Sequence, residues 1–238
     1  MDKNNLTELP DEIANLTRLT YLNLSNNKFV VYPSVINKLH TLIKLEYYDN
    51  EPNPDIQLPN LEKLYITYHA GWDIAPSEDY SNTKSVNLLP NLKKIKFEYD
   101  HNFNFERIPD FIFESYNLEY LDITLNGNKN IYIDSRVYDL LKLTYLNIEI
   151  FPYSKGMYDK CLPSDIGKLT NLTHLFTHGF GTCLPIQLME LKNLETLHIS
   201  DNQFDSMTDE MEENLKDKID DYDYHKERQE LQENDKKS

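Results

Sequence analysis

The side chains of this chain best suited to chemistry are not scattered along it. Three of its seven histidines, His174, His178 and His198, fall in one short stretch with Phe176. Imidazoles so grouped could hold a metal or respond to pH. The two cysteines, Cys161 and Cys183, each stand directly before a Leu-Pro pair. Lys44, Lys63, Lys94 and Lys96 recur alongside Tyr48 and Tyr65, in a chain whose net charge is −16. None of these sets has a catalytic order. No nucleophile is paired with a base by any motif, and with only six glycines there is no glycine-rich phosphate loop. No enzymatic activity and no cofactor is expected.

What could position these groups is a repeated phrase, L-x-x-L-x-x-L-x-L-x-x-N. It is clearest at Leu16, Leu19, Leu22, Leu24 and Asn27, and again at Leu191, Leu194, Leu197, Ile199 and Asn202. Aligning on its second leucine gives eight repeats, at Leu19, Leu42, Leu61, Leu92, Leu118, Leu143, Leu172 and Leu194. The better repeats carry a second half, L-x-x-L-P-x-x-I-x-x-L, as in Leu6, Leu9, Pro10, Ile13 and Leu16. A period of this length implies a stacked solenoid in which no repeat buries its leucines alone. The x-L-x-L-x segment alternates, so it reads as a short strand with leucines inward and the flanking residues outward. One strand per repeat builds a curved parallel sheet, and the proline half returns across the back.

On these motifs the chain resembles the leucine-rich repeat family in its plain LxxLP form, over roughly residues 4 to 204. The resemblance implies an α/β repeat solenoid, a horseshoe with a parallel concave β-sheet and an irregular or short-helical convex side. It leaves the partner unspecified, because one fold hosts many functions. Asn27, Asn50, Asn126 and Asn202 keep the family's asparagine, which can bond backbone groups at the turn. His69, Asp100, Phe151 and Phe180 replace it, and irregular turns are expected after those strands.

Set in register, the outward residues form three columns that should face solvent. The first is Tyr21, Lys44, Lys63, Lys94, Tyr120, Tyr145, His174 and Thr196. The second is Asn23, Glu46, Tyr65, Lys96, Asp122, Asn147, Phe176 and His198. The third is Ser25, Tyr48, Thr67, Glu98, Thr124, Glu149, His178 and Ser200. Two candidate partner-binding patches follow. Lys44, Lys63, Lys94 and Lys96 with Tyr48 and Tyr65 suit an acidic surface or peptide, the lysines steering and the tyrosines giving contact area. Tyr145, His174, Phe176, His178 and His198 form an aromatic cluster, with Tyr120 between the patches. Against these stand a solvated sheet face and a Phe176 covered by the chain itself. A metal site is not expected, because His174 and His178 lie four apart on one strand, with α-carbons ~13 Å apart.

Cys161 and Cys183 occupy one slot in adjacent rungs, ~5 Å apart and within bridging range. Cysteine-rich caps are absent, which favours free thiols in a reducing, cytoplasmic setting over a disulfide. The N-terminal residues lack the pattern of a signal peptide, and no apolar run approaches the ~18 residues of a membrane span. The first repeat begins without a polar cap, so either its half-repeat caps itself or the chain is a piece of a larger receptor-like protein. An insertion near residues 70–87 holds Trp72, read as pinning its own loop rather than anchoring a partner. After residue 204, Ser206 and Asp209 suggest a capping box, and Met211, Leu215, Ile219 and Tyr222 fall at helical spacing. Residues 205–238 therefore read as a capping helix followed by a disordered acidic end, with an interaction tail as the rival. That segment carries 13 acids and 6 bases, so both it and the repeat body are acidic, which disfavours nucleic acid as partner. The resulting expectation is a monomeric module or scaffold that binds a protein or peptide on the concave face. Its alternative is a regulatory subunit or effector docking on an enzyme.

Overall fold

In the computed structural model, eight strands form one parallel sheet in chain order, without a crossover. The structure describes residues 1–48, 50, 56–69, 89–100, 108–127, 134–152, 161–181, 183–199 and 206–219. The strands are β1 Tyr21–Asn23, β2 Lys44–Tyr47, β3 Lys63–His69, β4 Lys94–Asp100, β5 Tyr120–Gly127, β6 Tyr145–Pro152, β7 His174–His178 and β8 Thr196–His198. The register pairs Tyr21 with Lys44 and then runs through Lys63, Lys94, Tyr120, Tyr145 and His174 to Thr196. This is the first column of the sequence alignment. Behind it Leu22, Leu45, Leu64, Ile95, Leu121, Leu146, Leu175 and Leu197 are all buried. Each such side chain contributes about 1.5–3 kcal/mol through burial, which only the stacking of rungs supplies.

The proline half of the repeat turns the chain back. Proline cannot donate a backbone hydrogen bond, and its fixed φ suits the entry to a short helix. Among the described residues the back is built of single 3-10 turns at Asp11–Asn15, Ser34–Lys38, Ser135–Asp139, Ser164–Lys168 and Ile186–Glu190, and one short α-helix, α1, Asp110–Phe113. Arg136 donates to Asp134 Oδ2 at 2.7 Å and to Asp110, tying α1 to the following rung.

Two sets of asparagines stitch the backbone. Asn27 donates Nδ2 to the Leu24 carbonyl at 2.7 Å and accepts from the Leu6 amide at 3.1 Å, as the sequence predicts for that slot. Asn50 donates to the carbonyls of Leu24 and Tyr48. The second set escapes the repeat reading. Asn60, Asn91, Asn117, Asn171 and Asn193 each precede the alignment leucine and donate to a carbonyl of the previous rung at 2.8–2.9 Å. The recurring Asn-Leu pair was the available signal.

Several expectations require correction. His69, Asp100 and Phe151 lie within their strands, as Asn126 does in β5, so β3 to β6 reach seven or eight residues where β1 and β8 have three, whether or not the asparagine is kept. Only Phe180 of the four substitutes lies beyond its strand, and there it is buried. The stretches after His69, Asp100 and Pro152, where irregular turns are expected, the insertion with Trp72, and Ser200, Asn202 and Tyr222 lie outside the described residues. Helix α2, Asp209–Leu215, does close the solenoid with Met211 and Leu215 buried, but its cap is not Ser206. The Thr208 hydroxyl accepts from the Met211 amide at 3.3 Å, because residue 208 is the one placed three before that free N–H. Cys161 and Cys183 are joined in a disulfide, with α-carbons 5.1 Å apart. The adjacent-rung geometry was read correctly; the preference for free thiols, drawn from the missing caps, was not.

Glycine is required at one bend. Gly179 follows β7 with φ +81°, and a β-carbon there would lie 1.9 Å from the Ile150 carbonyl oxygen. That approach sets how closely the end of β7 packs against β6.

Candidate concave binding face

In-register parallel strands place equivalent residues ~4.8 Å apart. Any large side chain in a column therefore touches the next one. The two patches anticipated from sequence become one ladder for this reason. The Lys44 ammonium sits 5.1 Å from the Tyr21 ring centre and 5.1 Å from that of Tyr65. Lys94 lies 3.9 Å over Tyr120 and 5.9 Å from Tyr65, and Lys96 reaches both rings. On its other side Tyr120 stacks flat on Tyr145, with ring centres 4.0 Å apart. Tyr145 then meets His174 at 6.1 Å and Phe176 at 5.3 Å, and Phe176 meets His198 at 6.1 Å. Tyr120 joins the two halves, with a cation on one face and a ring on the other.

The same spacing corrects the expectation of three solvent-facing columns. Column one does face solvent: Tyr21 is 47% exposed, and the other members are half-buried. Columns two and three are closed at some rungs and half-buried at others, such as Glu46, Lys96 and Asp122. Tyr65 is 3% exposed and Phe176 6%, while Asn147, Thr67, Thr124 and Ser25 are also buried. Rings on adjacent rungs cover one another, so Phe176, flanked by Tyr145 and His198, is a packed ring rather than an open anchor. Tyr65 is enclosed likewise by the Tyr48 ring at 6.2 Å and the lysine stems.

Charge is segregated across the sheet. Column one holds no carboxylate, whereas Glu46, Asp122, Glu98 and Glu149 all lie in columns two and three. Glu46 pairs with Lys44 at 3.2 Å and accepts from Tyr21 Oη and Asn23 Nδ2. Asn147 Nδ2 donates to Asp122 Oδ1 at 3.0 Å and to Glu149 Oε1 at 2.6 Å. Glu149 is 1% exposed. Sequence reasoning did not single out this Asp122–Asn147–Glu149 set, although the columns place all three on neighbouring positions. Among the described residues the Lys63 ammonium has no ion pair or hydrogen bond, unlike Lys44.

Burial and charge also shift ionisation. Desolvation pushes the Tyr48 hydroxyl well above its ordinary pKa, and Asp122 adds to the effect. His178 is held below the usual histidine value, first by burial. Glu149 opposes that shift and His198 reinforces it. Phe151 lies against the His178 ring at 5.0 Å. No group of three or more metal-ligating side chains occurs among the described residues, and no described helix is long and apolar enough to cross a membrane.

Comparison with known proteins agrees with this architecture. Residues 18–39 match the family described as Leucine Rich Repeat. An adenylate cyclase of Schizosaccharomyces pombe is 26% identical over 84% of this chain, and the chain spans 15% of that relative's length. Among solved structures, internalin C2 of Listeria monocytogenes is 20% identical, with a TM-score of 0.55 over 81% of this chain and 75% of that one. The leucine-rich repeat domain of the type III effector XopL is 18% identical, with a TM-score of 0.52 over 83% and 74%. A TDR receptor is 23% identical, with a TM-score of 0.56 over 82% of this chain and 34% of that receptor. At these identities the structures share the fold.

Proposed function

We propose that this chain, a leucine-rich repeat protein, is a non-catalytic recognition module that holds another protein or peptide against column one of its concave sheet. The observation that carries the reading is the state of that column. None of its members is buried, whereas the other two columns each hold buried residues, and it is free of carboxylates in a chain of net charge −16. A rigid sheet presents these residues with little entropy left to lose on binding. The parallel backbone stitched by asparagines supplies that rigidity.

Lys63→Glu tests the proposal with little risk to the fold, because the Lys63 ammonium has no described partner. Partners captured from native lysate on the wild-type chain are expected to bind the variant at least about fivefold more weakly, roughly 1 kcal/mol. Unchanged affinity of every captured partner would place recognition elsewhere.

A second reading is favoured by the likeness to a segment of an adenylate cyclase. In it, the repeats dock on or belong to an enzyme and control it. Co-purification with one enzyme whose turnover changes when the chain is added would select this reading. A cytoplasmic, monomeric state completes the proposal, and the cysteine pair tests the location. In a reducing compartment both thiols alkylate on native lysis, whereas a bridged pair isolated intact indicates an oxidising one.

A further inference from the structure

The ligand of this face is narrowed by the period of column one. We infer that column one is built for an acidic peptide in the polyproline II conformation, lying along the solenoid axis. The inference rests on the concave-face reading above and adds the chemistry and shape of the occupant.

Charge comes first. Lys44, Lys63 and Lys94 stand on three consecutive rungs of one column, with like charges ~4.8 Å apart by backbone spacing. Glu46 already pairs with Lys44 at 3.2 Å, so the charge a bound anion would meet is centred on Lys63, whose ammonium has no ion pair among the described residues. The carboxylates of the face lie on the other two columns, so an acidic chain is drawn to column one and repelled from the rest.

Shape comes second. Polyproline II has three residues per turn and a rise of about 3.1 Å, so every third side chain points the same way about 9.3 Å further on. Alternate rungs lie about 9.6 Å apart. A same-facing row of such a peptide would therefore meet Lys44 and Lys94, with Lys63 between them, and then Tyr145. A β-strand repeats its facing side chains at about 6.7 Å, which fits neither one rung nor two. An α-helix repeats at about 5.4 Å but is about 10 Å wide, and it would lie over the carboxylates of the second and third columns, Glu46, Asp122 and Glu98. Polyproline II is slim, and its rings dock on aromatic surfaces. Tyr120 and Tyr145, stacked at 4.0 Å, present a paired set of ring edges directly beyond the lysines.

The test uses a fluorescein-labelled (Glu-Pro-Pro)5 peptide and the full chain, read by anisotropy in low salt. Saturable binding is expected, weakened at least about tenfold by Lys63→Glu and changed less than about twofold by Lys192→Glu, an exposed lysine off this face. (Lys-Pro-Pro)5 is expected not to bind. A peptide of the same composition with its glutamates irregularly spaced is expected to bind at least about fivefold more weakly. Equal binding of the irregular peptide, or equal loss with Lys192→Glu, overturns the inference. If (Glu-Pro-Pro)5 fails to bind while a captured native partner still loses affinity on Lys63→Glu, the peptide class is wrong and the concave-face reading survives. If that partner is also indifferent, both fall.

Discussion

The two halves of the ladder use similar side chains to different ends. In rungs two to four, ammonium groups lie over tyrosine rings, and the cations remain partly in water. In rungs six to eight, ring packs on ring and Phe176 is withdrawn from solvent. Cation–π contacts at half-exposed sites are worth about 0.5–2 kcal/mol, whereas a buried phenyl ring is worth several. The first half can therefore lend its charges to a ligand at small cost to the fold. The second half is committed to structure, reinforced by the Cys161–Cys183 bridge and the glycine bend at Gly179.

This contrast is broken most directly at Phe176. Phe176→Ala should lower stability by about 3–5 kcal/mol in urea unfolding, the range for truncating a buried ring. A loss below about 1 kcal/mol would show that the ring is open and the two halves alike. Cys183→Ser removes the bridge that closes 22 residues of chain. It should cost about 2–4 kcal/mol, with faster amide exchange confined to β7, β8 and α2. Even loosening of all eight strands would contradict a local staple. Lys94→Met keeps the stem over Tyr120 and deletes the charge. Thermal unfolding should report a loss of about 1 kcal/mol, well below that of Phe176→Ala.

The smallest expected effect is the response to pH at His178. Its folded pKa lies below the unfolded value of about 6.5, so the folded protein resists taking up a proton that the unfolded chain accepts. Stability should be full above pH 6.5 and fall as the pH drops from there through the lowered folded value. His178→Gln should flatten that slope without altering stability at pH 8. A slope unchanged by the variant assigns it to another group.

How much of this could be read from the chain depends on how local each feature is. The alignment leucines placed all of columns one and two, and Thr67 to His178 of column three, in register, because a missed register would turn leucines out of the core. Cys161 and Cys183 were placed on adjacent rungs correctly, but their bonding was inferred from compartment, and that inference failed. The Asn-Leu ladder was visible as a repeated pair, yet its meaning needs the previous rung's carbonyl. Ser206 and Thr208 are both good caps by type, and the choice between them follows from where α2 meets Met211 and Leu215.

Periodicity alone was enough for the solenoid, the strand register and the identity of the three columns, since each follows from side-chain alternation repeated at fixed intervals. Which column stays open is a different kind of fact. It depends on rings from separate repeats meeting at the rung spacing, so Tyr65 and Phe176 are closed off while Lys63 is half-buried. Exposure is a property of neighbours, and for this face the neighbours are about twenty to thirty residues away in the chain.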